Sequence, residues 1–142
     1  MKSGNKDAIF LRHIIEEIKK IENSTKSLNE EGFKKDLDVQ DAILRRIEVI
    51  GEAAKNVSAA LKEKHAEIEW KKISGMRDII IHAYFNVDIG LTWKIVKKDI
   101  PTLKVNIQLI LRGMDAVLTD DDMEALHDAE ADLKAGKAKR LV

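Results

Sequence analysis

The sequence predicts an all-α fold, a bundle of four or five helices, on three observations. Apolar residues recur at steps of three and four along most of the chain. No alternating strand pattern longer than a few residues competes with them. The only proline, Pro101, stands where it can open a helix rather than break one. At 142 residues the chain fits one domain with a sizeable core. With 44% hydrophobic and 35% charged residues it has the composition of a folded globular protein, not a disordered one. No apolar run reaches the about 18 residues a membrane span needs, and MKSGNKDAIF lacks the apolar stretch and cleavage site of a signal peptide. Cysteine is absent, which excludes disulfides and cysteine-ligated zinc or iron–sulfur centres. The expected setting is the cytoplasm, with no membrane partner.

Leu11, Ile14, Ile15, Ile18 and Ile21 form one apolar stripe and predict a first helix over residues 6–26. Asn29-Glu30-Glu31-Gly32 reads as a loop. A second, long helix is expected over residues 38–64, with Asp36 or Asp38 as its N-cap and Ile43, Ile47, Ile50, Ala54, Val57 and Leu61 on its stripe. Gly51 costs that helix about 1 kcal/mol relative to alanine, a cost that close approach of another helix would explain. Trp70 opens a third segment, read as helical although Ile79-Ile80-Ile81 is locally β-prone. Asn86-Val87-Asp88 reads as a turn, with Asp88 capping a short helix through Lys98. Pro101 then fits the first turn of a last helix striped by Leu103, Ile107, Ile110, Met114 and Val117. Trp70 and Trp93 are expected to anchor helix packing, not to stack bases.

The formal net charge of zero is unevenly distributed. Residues 115–132 hold eight acidic groups and no Lys or Arg, and 134–140 hold four basic groups. Up to Met114 there are 21 basic and 17 acidic residues, a net of +4, which is compatible with a polyanionic partner and also ordinary for a soluble domain. The chain therefore divides into a bundle, 1–114, and an acidic-then-basic tail, 115–142. In the tail Thr119 and Asp122 resemble a capping box and Gly136 a helix stop. The tail reads as a solvated terminal helix, as a segment that binds a partner, or as a cover for a basic cleft.

The chemistry concentrates in GMRDIIIHAYF, residues 75–85. In a helix Asp78 and His82, four apart, share a face, so the carboxylate can fix the imidazole tautomer and hold its proton near neutrality. Arg77 and His82 would then lie about 140° apart. Either the long arginine stem reaches around, or two copies of the segment meet across a two-fold axis and pool their groups. Arg, His and a carboxylate suffice for metal-free RNA cleavage: the 2′-hydroxyl attacks, His moves protons and Arg stabilises phosphoryl charge. The residue types alone favour a plainer reading, with Arg77 and Asp78 as surface charges and His82 half-buried.

A wider span changes the balance. VQDAILRRIEVIGEAAKNVS and EIEWKKISGMRDIIIHAYFNVDIGLTWKIVKKDIPTLK resemble the HepT-like branch of the HEPN superfamily, over about Asp7 to Arg112. The family motif is Arg, a polar residue, three more positions, His, any residue, Tyr, matched here by Arg77, Asp78, His82 and Tyr84. Gly51-Glu52-Ala53, Trp70, Trp93 and Pro101 also fall where the family has them. The resemblance implies a dimeric helical bundle acting as a metal-independent endoribonuclease toxin on tRNA or mRNA. Arg77 would contact the scissile phosphate in a cleft between protomers, with His82 as acid/base. It further implies a minimal nucleotidyltransferase antitoxin that attaches AMP to Tyr84, with this chain as a homodimer or in a larger hetero-oligomer with that antitoxin. AMP on Tyr84 would bring negative charge and bulk into a phosphate-binding cleft. Asp78 departs from the asparagine often found at its position: it can orient His82, yet it also repels phosphate.

Glu52 shares a face with Arg45 and is read as a supporting residue, in an ion pair or hydrogen bond near the cleft. No cofactor is expected. One Glu-x-x-His, Glu124 with His127, falls short of the two such pairs and further glutamates of a di-iron bundle. His13 and His65 belong to no motif. The alternative function is a non-catalytic helical module that docks a nucleotidyltransferase or binds nucleotide or RNA. A third reading makes the neighbouring protein the toxin and this chain its antidote.

Overall fold

The computed structural model describes residues 2–82 and 86–114, and the side chains of 6–81 and 86–114. The tail beyond Met114, with Val117, Thr119, Asp122, Glu124, His127 and Gly136, lies outside the described residues, as does Tyr84.

Helix α1 (Lys2–Thr25) buries the stripe read from the sequence: Leu11, Ile14, Ile18 and Ile21 are fully covered and Ile15 nearly so. It lies along α3 (Leu37–Asn56), whose Ile43, Ile47, Ile50 and Ala54 are equally inaccessible. Between them, Asn29-Glu30-Glu31-Gly32 is not a loop. Asn29 accepts from the Gly32 amide at 2.8 Å and starts a short helix, α2 (Glu30–Lys35). A turn-forming sequence here doubles as an N-cap, because an Asn side chain serves either role. Asp36 caps α3 through the Val39 amide at 3.1 Å, and Gln40 returns to the Phe33 and Lys34 carbonyls at 2.8 and 3.1 Å.

The long second helix expected over 38–64 is two helices. The chain is extended at Val57 and Ser58, and α4 (Ala59–Lys64) begins anew. Ser58 is the cause. Its hydroxyl accepts from the Leu61 amide at 3.2 Å and donates to Asp7 Oδ2 at 2.6 Å, while its own amide donates to Asp7 Oδ1 at 2.8 Å. A buried carboxylate on α1 thus takes the donors that an unbroken helix would have used internally.

Two short helices follow, α5 (Trp70–Ser74) and α6 (Met76–Ile80), both packed on α3. Gly51 makes this possible. A Cβ placed there would sit 3.0 Å from the Ser74 carbonyl oxygen and 3.4 Å from that of Ile73, so only a glycine lets the backbones meet this closely. Trp70 opens α5 as expected, buried, with its indole N–H donating to the His65 carbonyl at 3.1 Å.

After Ile80 the helix stops. Strands β1 (Ile81–His82) and β2 (Asn86–Val87) pair antiparallel, Ile81 opposite Val87 and His82 opposite Asn86. The expectation of a helical motif segment with a turn at 86–88 is corrected here. A five-residue helix is too short to impose itself, and the β-branched run at its end favours extended backbone. The Ile81 amide closes the last turn onto the Arg77 carbonyl, and the Asp88 amide donates to the Ile80 carbonyl at 2.9 Å.

Asp88 then caps α7 (Ile89–Lys94) through the Leu91 amide at 2.9 Å, as the sequence suggests. The helix does not end near Lys98. It widens into a π-turn (Ile95–Asp99) and continues as α8 (Ile100–Gly113), which packs on α1. Pro101 has no N–H to give and its ring displaces the carbonyl four residues back. The helix absorbs this by shifting its bonding, with the Ile100 amide reaching Ile95, five residues earlier. Trp93 packs on Phe33 at 5.2 Å between ring centres, under the Lys97 ammonium at 4.7 Å. Leu103, Ile107 and Ile110 are buried as expected. The all-α reading holds, with one two-residue strand pair added. No helix among the described residues is long and apolar enough to cross a membrane.

Candidate active site

The site is assembled where α6 crosses α3. Met76 and Ile80 are buried and turn α6 so that Arg77, Asp78 and Ile79 face outward. Arg77 is about half exposed, its side chain at 47%, and its Nε lies 3.7 Å from Glu48 Oε2. That distance marks an ion pair too long for a hydrogen bond. The other oxygen of Glu48 accepts a hydrogen bond from Arg45 Nη1 at 3.3 Å. One carboxylate on α3 therefore has an arginine beside each of its oxygens, one from its own helix and one from α6.

The shared helix face expected for Asp78 and His82 does not exist. Asp78 is helical and His82 is in β1, with the extended Ile81 between them, so the 100° arithmetic stops at Ile80. The estimated 140° between Arg77 and His82 fails for the same reason. The backbone break sets His82 on a two-stranded edge immediately after the helix that carries Arg77. The His82 side chain and Tyr84 fall outside what the structure describes.

Glu52 is exposed and pairs with Lys55 at 3.6 Å, an ordinary surface pair one turn beyond Glu48. Arg45, expected to share its face, pairs with Glu48 instead. Glu48 is the residue that sequence reasoning missed. Its i,i+3 relation to Arg45 was visible, but nothing local reveals that α6 would bring Arg77 to its other side. Elsewhere, His13 lies 3.9 Å from Glu17 and His65 lies 3.7 Å from Glu67. Trp70 and Trp93 serve packing, as expected.

Among the described residues, a carboxylate with a lowered pKa lies away from this site. Burial alone would push the Glu17 carboxyl up, but hydrogen bonds from Arg46 at 3.1 Å and Lys20 at 3.2 Å outweigh it and hold its pKa below 4.5. Glu17 is thus a structural anion that ties α1 to α3.

The model of the family described as ribonuclease HepT-like matches residues 14–110, the span that contains every element of the site. A Methanocaldococcus jannaschii protein named "Gamma-glutamylcyclotransferase and putative RNase" is 50% identical over 107 residues. The match covers 75% of this chain and 48% of that protein, so the chain spans about half of that relative's length. "Probable ribonuclease HepT" of Thermococcus cleftensis is 46% identical over 73% of this chain and 93% of its own length. A "Putative RNase" of Caldanaerobacter subterraneus is 39% identical over 72% and 92%. No solved structure matches the chain. On the family match and these identities together, the chain belongs to the HepT-like ribonuclease family of the HEPN superfamily.

Proposed function

We propose that the protein is a metal-independent endoribonuclease, the toxin of a toxin–antitoxin pair, in which Arg77 and His82 act on one phosphodiester. The observation that carries this reading is the exposure of Arg77 on α6 directly before the strand that holds His82, in a chain whose relatives are named as ribonucleases. In the reaction the 2′-oxygen forms a bond to phosphorus and the bond to the 5′-oxygen breaks. A base takes the 2′-proton, and an acid gives one to the departing 5′-oxygen, leaving a 2′,3′-cyclic phosphate. His82 is the acid/base, and the Arg77 guanidinium binds the phosphoryl oxygens as charge builds on them. Asp78 stands beside Arg77 and tempers its field.

The working unit is a homodimer whose cleft takes residues from both protomers. Ile79 supports this: it is an apolar side chain exposed at 41% between the charges of the motif, the kind of residue an isologous contact covers. Neutralisation is by a minimal nucleotidyltransferase. The Tyr84 hydroxyl oxygen forms a bond to the α-phosphorus of a nucleoside triphosphate, pyrophosphate leaves, and the attached AMP fills the cleft with negative charge.

The test is a pair of RNA substrates that differ only in a 2′-hydroxyl or hydrogen at the cut nucleotide, incubated in excess EDTA. Cleavage of the first alone, with a cyclic phosphate end, is the expected result. Binding of both without cleavage would replace the enzyme by a non-catalytic binding module, and cleavage of both would overturn the 2′-hydroxyl mechanism.

A further inference from the structure

Arg45 is a cation the reaction above does not use. It lies on α3 with 73% of its side chain exposed and hydrogen-bonds Glu48, whose other oxygen faces Arg77. An exposed pair of this kind contributes little stability. Two guanidiniums crowded on one carboxylate also repel each other, so folding gains little from bringing the third charge in. The row Arg45–Glu48–Arg77 carries a net positive charge on an open surface, and each guanidinium has five N–H donors, of which Arg45 gives one to Glu48. An arriving phosphate would relieve the repulsion and take up donors that the carboxylate leaves to solvent.

We propose that Arg45 is a second phosphate-binding residue, gripping the phosphate next to the scissile one on single-stranded RNA, with Glu48 as the positioning residue that aims both guanidiniums. The proposal rests on the ribonuclease reading. The two cations lie no further apart than one carboxylate and its two contacts, so they suit neighbouring phosphates of one strand rather than two separate strands. Arg45 touches a phosphate that does not react. Its contribution is therefore equal in ground and transition states, and it lowers KM without raising kcat.

The experiment uses a single-stranded RNA with every 2′-hydroxyl methylated, which binds without being cut. Its affinity is measured across salt concentrations for the full chain and for Arg45→Ala, Arg45→Lys and Lys34→Ala. Each lost phosphate contact makes the slope of log affinity against log salt shallower by about 0.7 for a single strand. Arg45→Ala is expected to lose about that much, Arg45→Lys to keep the slope, and Lys34→Ala, on α2, to leave it unchanged. With ordinary RNA, Arg45→Ala is expected to raise KM with kcat retained, and Glu48→Gln, which loosens both guanidiniums, to raise KM and lower kcat together. An Arg45→Ala slope equal to that of the unaltered chain overturns the proposal, as does an equal change in Lys34→Ala. Cleavage of ordinary RNA in EDTA is scored separately. A chain that cleaves while Arg45→Ala binds normally loses the Arg45 proposal alone, and one that neither binds nor cleaves loses both.

Discussion

Replacing Gly51 by alanine sets two known effects against each other. In an exposed helix interior the change gains about 1 kcal/mol. At this position the new methyl would lie 3.0 Å from the Ser74 carbonyl oxygen, 3.4 Å from that of Ile73 and 3.5 Å from the Ser74 carbonyl carbon. All three are backbone atoms, and buried Trp70 and Ile73 hold them against α3, so no side chain can swing aside. Overpacking of this kind costs about 1–3 kcal/mol. The two effects together leave Gly51→Ala less stable by about 1 kcal/mol, or about 4 °C in Tm for a domain of this size. Gly113, with nothing within 4 Å of its virtual Cβ, is the control: Gly113→Ala is expected to be neutral or slightly stabilising. The assay is thermal and urea unfolding of both variants, followed by RNA cleavage well below the transition. A shift of a few tenths of an ångström at Ser74 is passed to Arg77 three residues later. Gly51→Ala should therefore lose cleavage at temperatures where it is fully folded. A Gly51→Ala protein that gains stability as an open helix site would, and cleaves normally, would refute the close-contact argument.

Three further outcomes are expected. The pKa of Glu17 is lowered in the folded chain, so its stabilisation is complete above about 4.5 and is lost as pH falls through the folded value. Glu17→Gln should be less stable at pH 7 and lose less stability than the parent as pH falls below about 4.5, read by urea midpoints; parallel pH curves would contradict this. Ser58→Ala removes two of the three hydrogen bonds made by Ser58, the α4 cap and the hydroxyl donor to Asp7, leaving only the amide donor to a buried carboxylate. It should cost about 2 kcal/mol, and a loss below about 0.5 kcal/mol would mean the helix break has another cause. Asp78→Asn removes a like charge worth about 1 kcal/mol beside the phosphate site and should raise kcat/KM about fivefold. A fall in kcat/KM would instead make Asp78 the residue that orients His82.

The sequence carried the helix stripes well, because a buried face repeats along a single element. Ile43, Ile47 and Ile50 needed no knowledge of what they pack against, and Gly51 announced a close neighbour without naming it. The failures have one origin. Ser58, Asn29 and Pro101 each set a hydrogen-bond pattern that a local reading leaves open: Ser58 through Asp7, 51 residues away, Asn29 by choosing a cap over a turn, and Pro101 by widening the turn before it so that the Ile100 amide reaches Ile95. Arg77 and His82 were singled out only through the wider resemblance, since their types and spacing alone favour a plainer reading. Their geometry was not legible because it depends on where a short helix gives way to β-branched residues. Glu48 was out of reach for the same reason as Asp7. Its partner across the fold, Arg77, is 29 positions later in the chain.

The central claim is that Arg77 and His82 cut RNA without a metal. Its most direct test is incubation of the protein, with Tyr84 shown by mass to carry no AMP, with tRNA and total RNA in excess EDTA, beside Arg77→Ala and His82→Ala. Cleavage that survives chelation and disappears in both variants is the predicted result. RNA left intact by the unaltered protein, or cut equally by all three, would contradict the account.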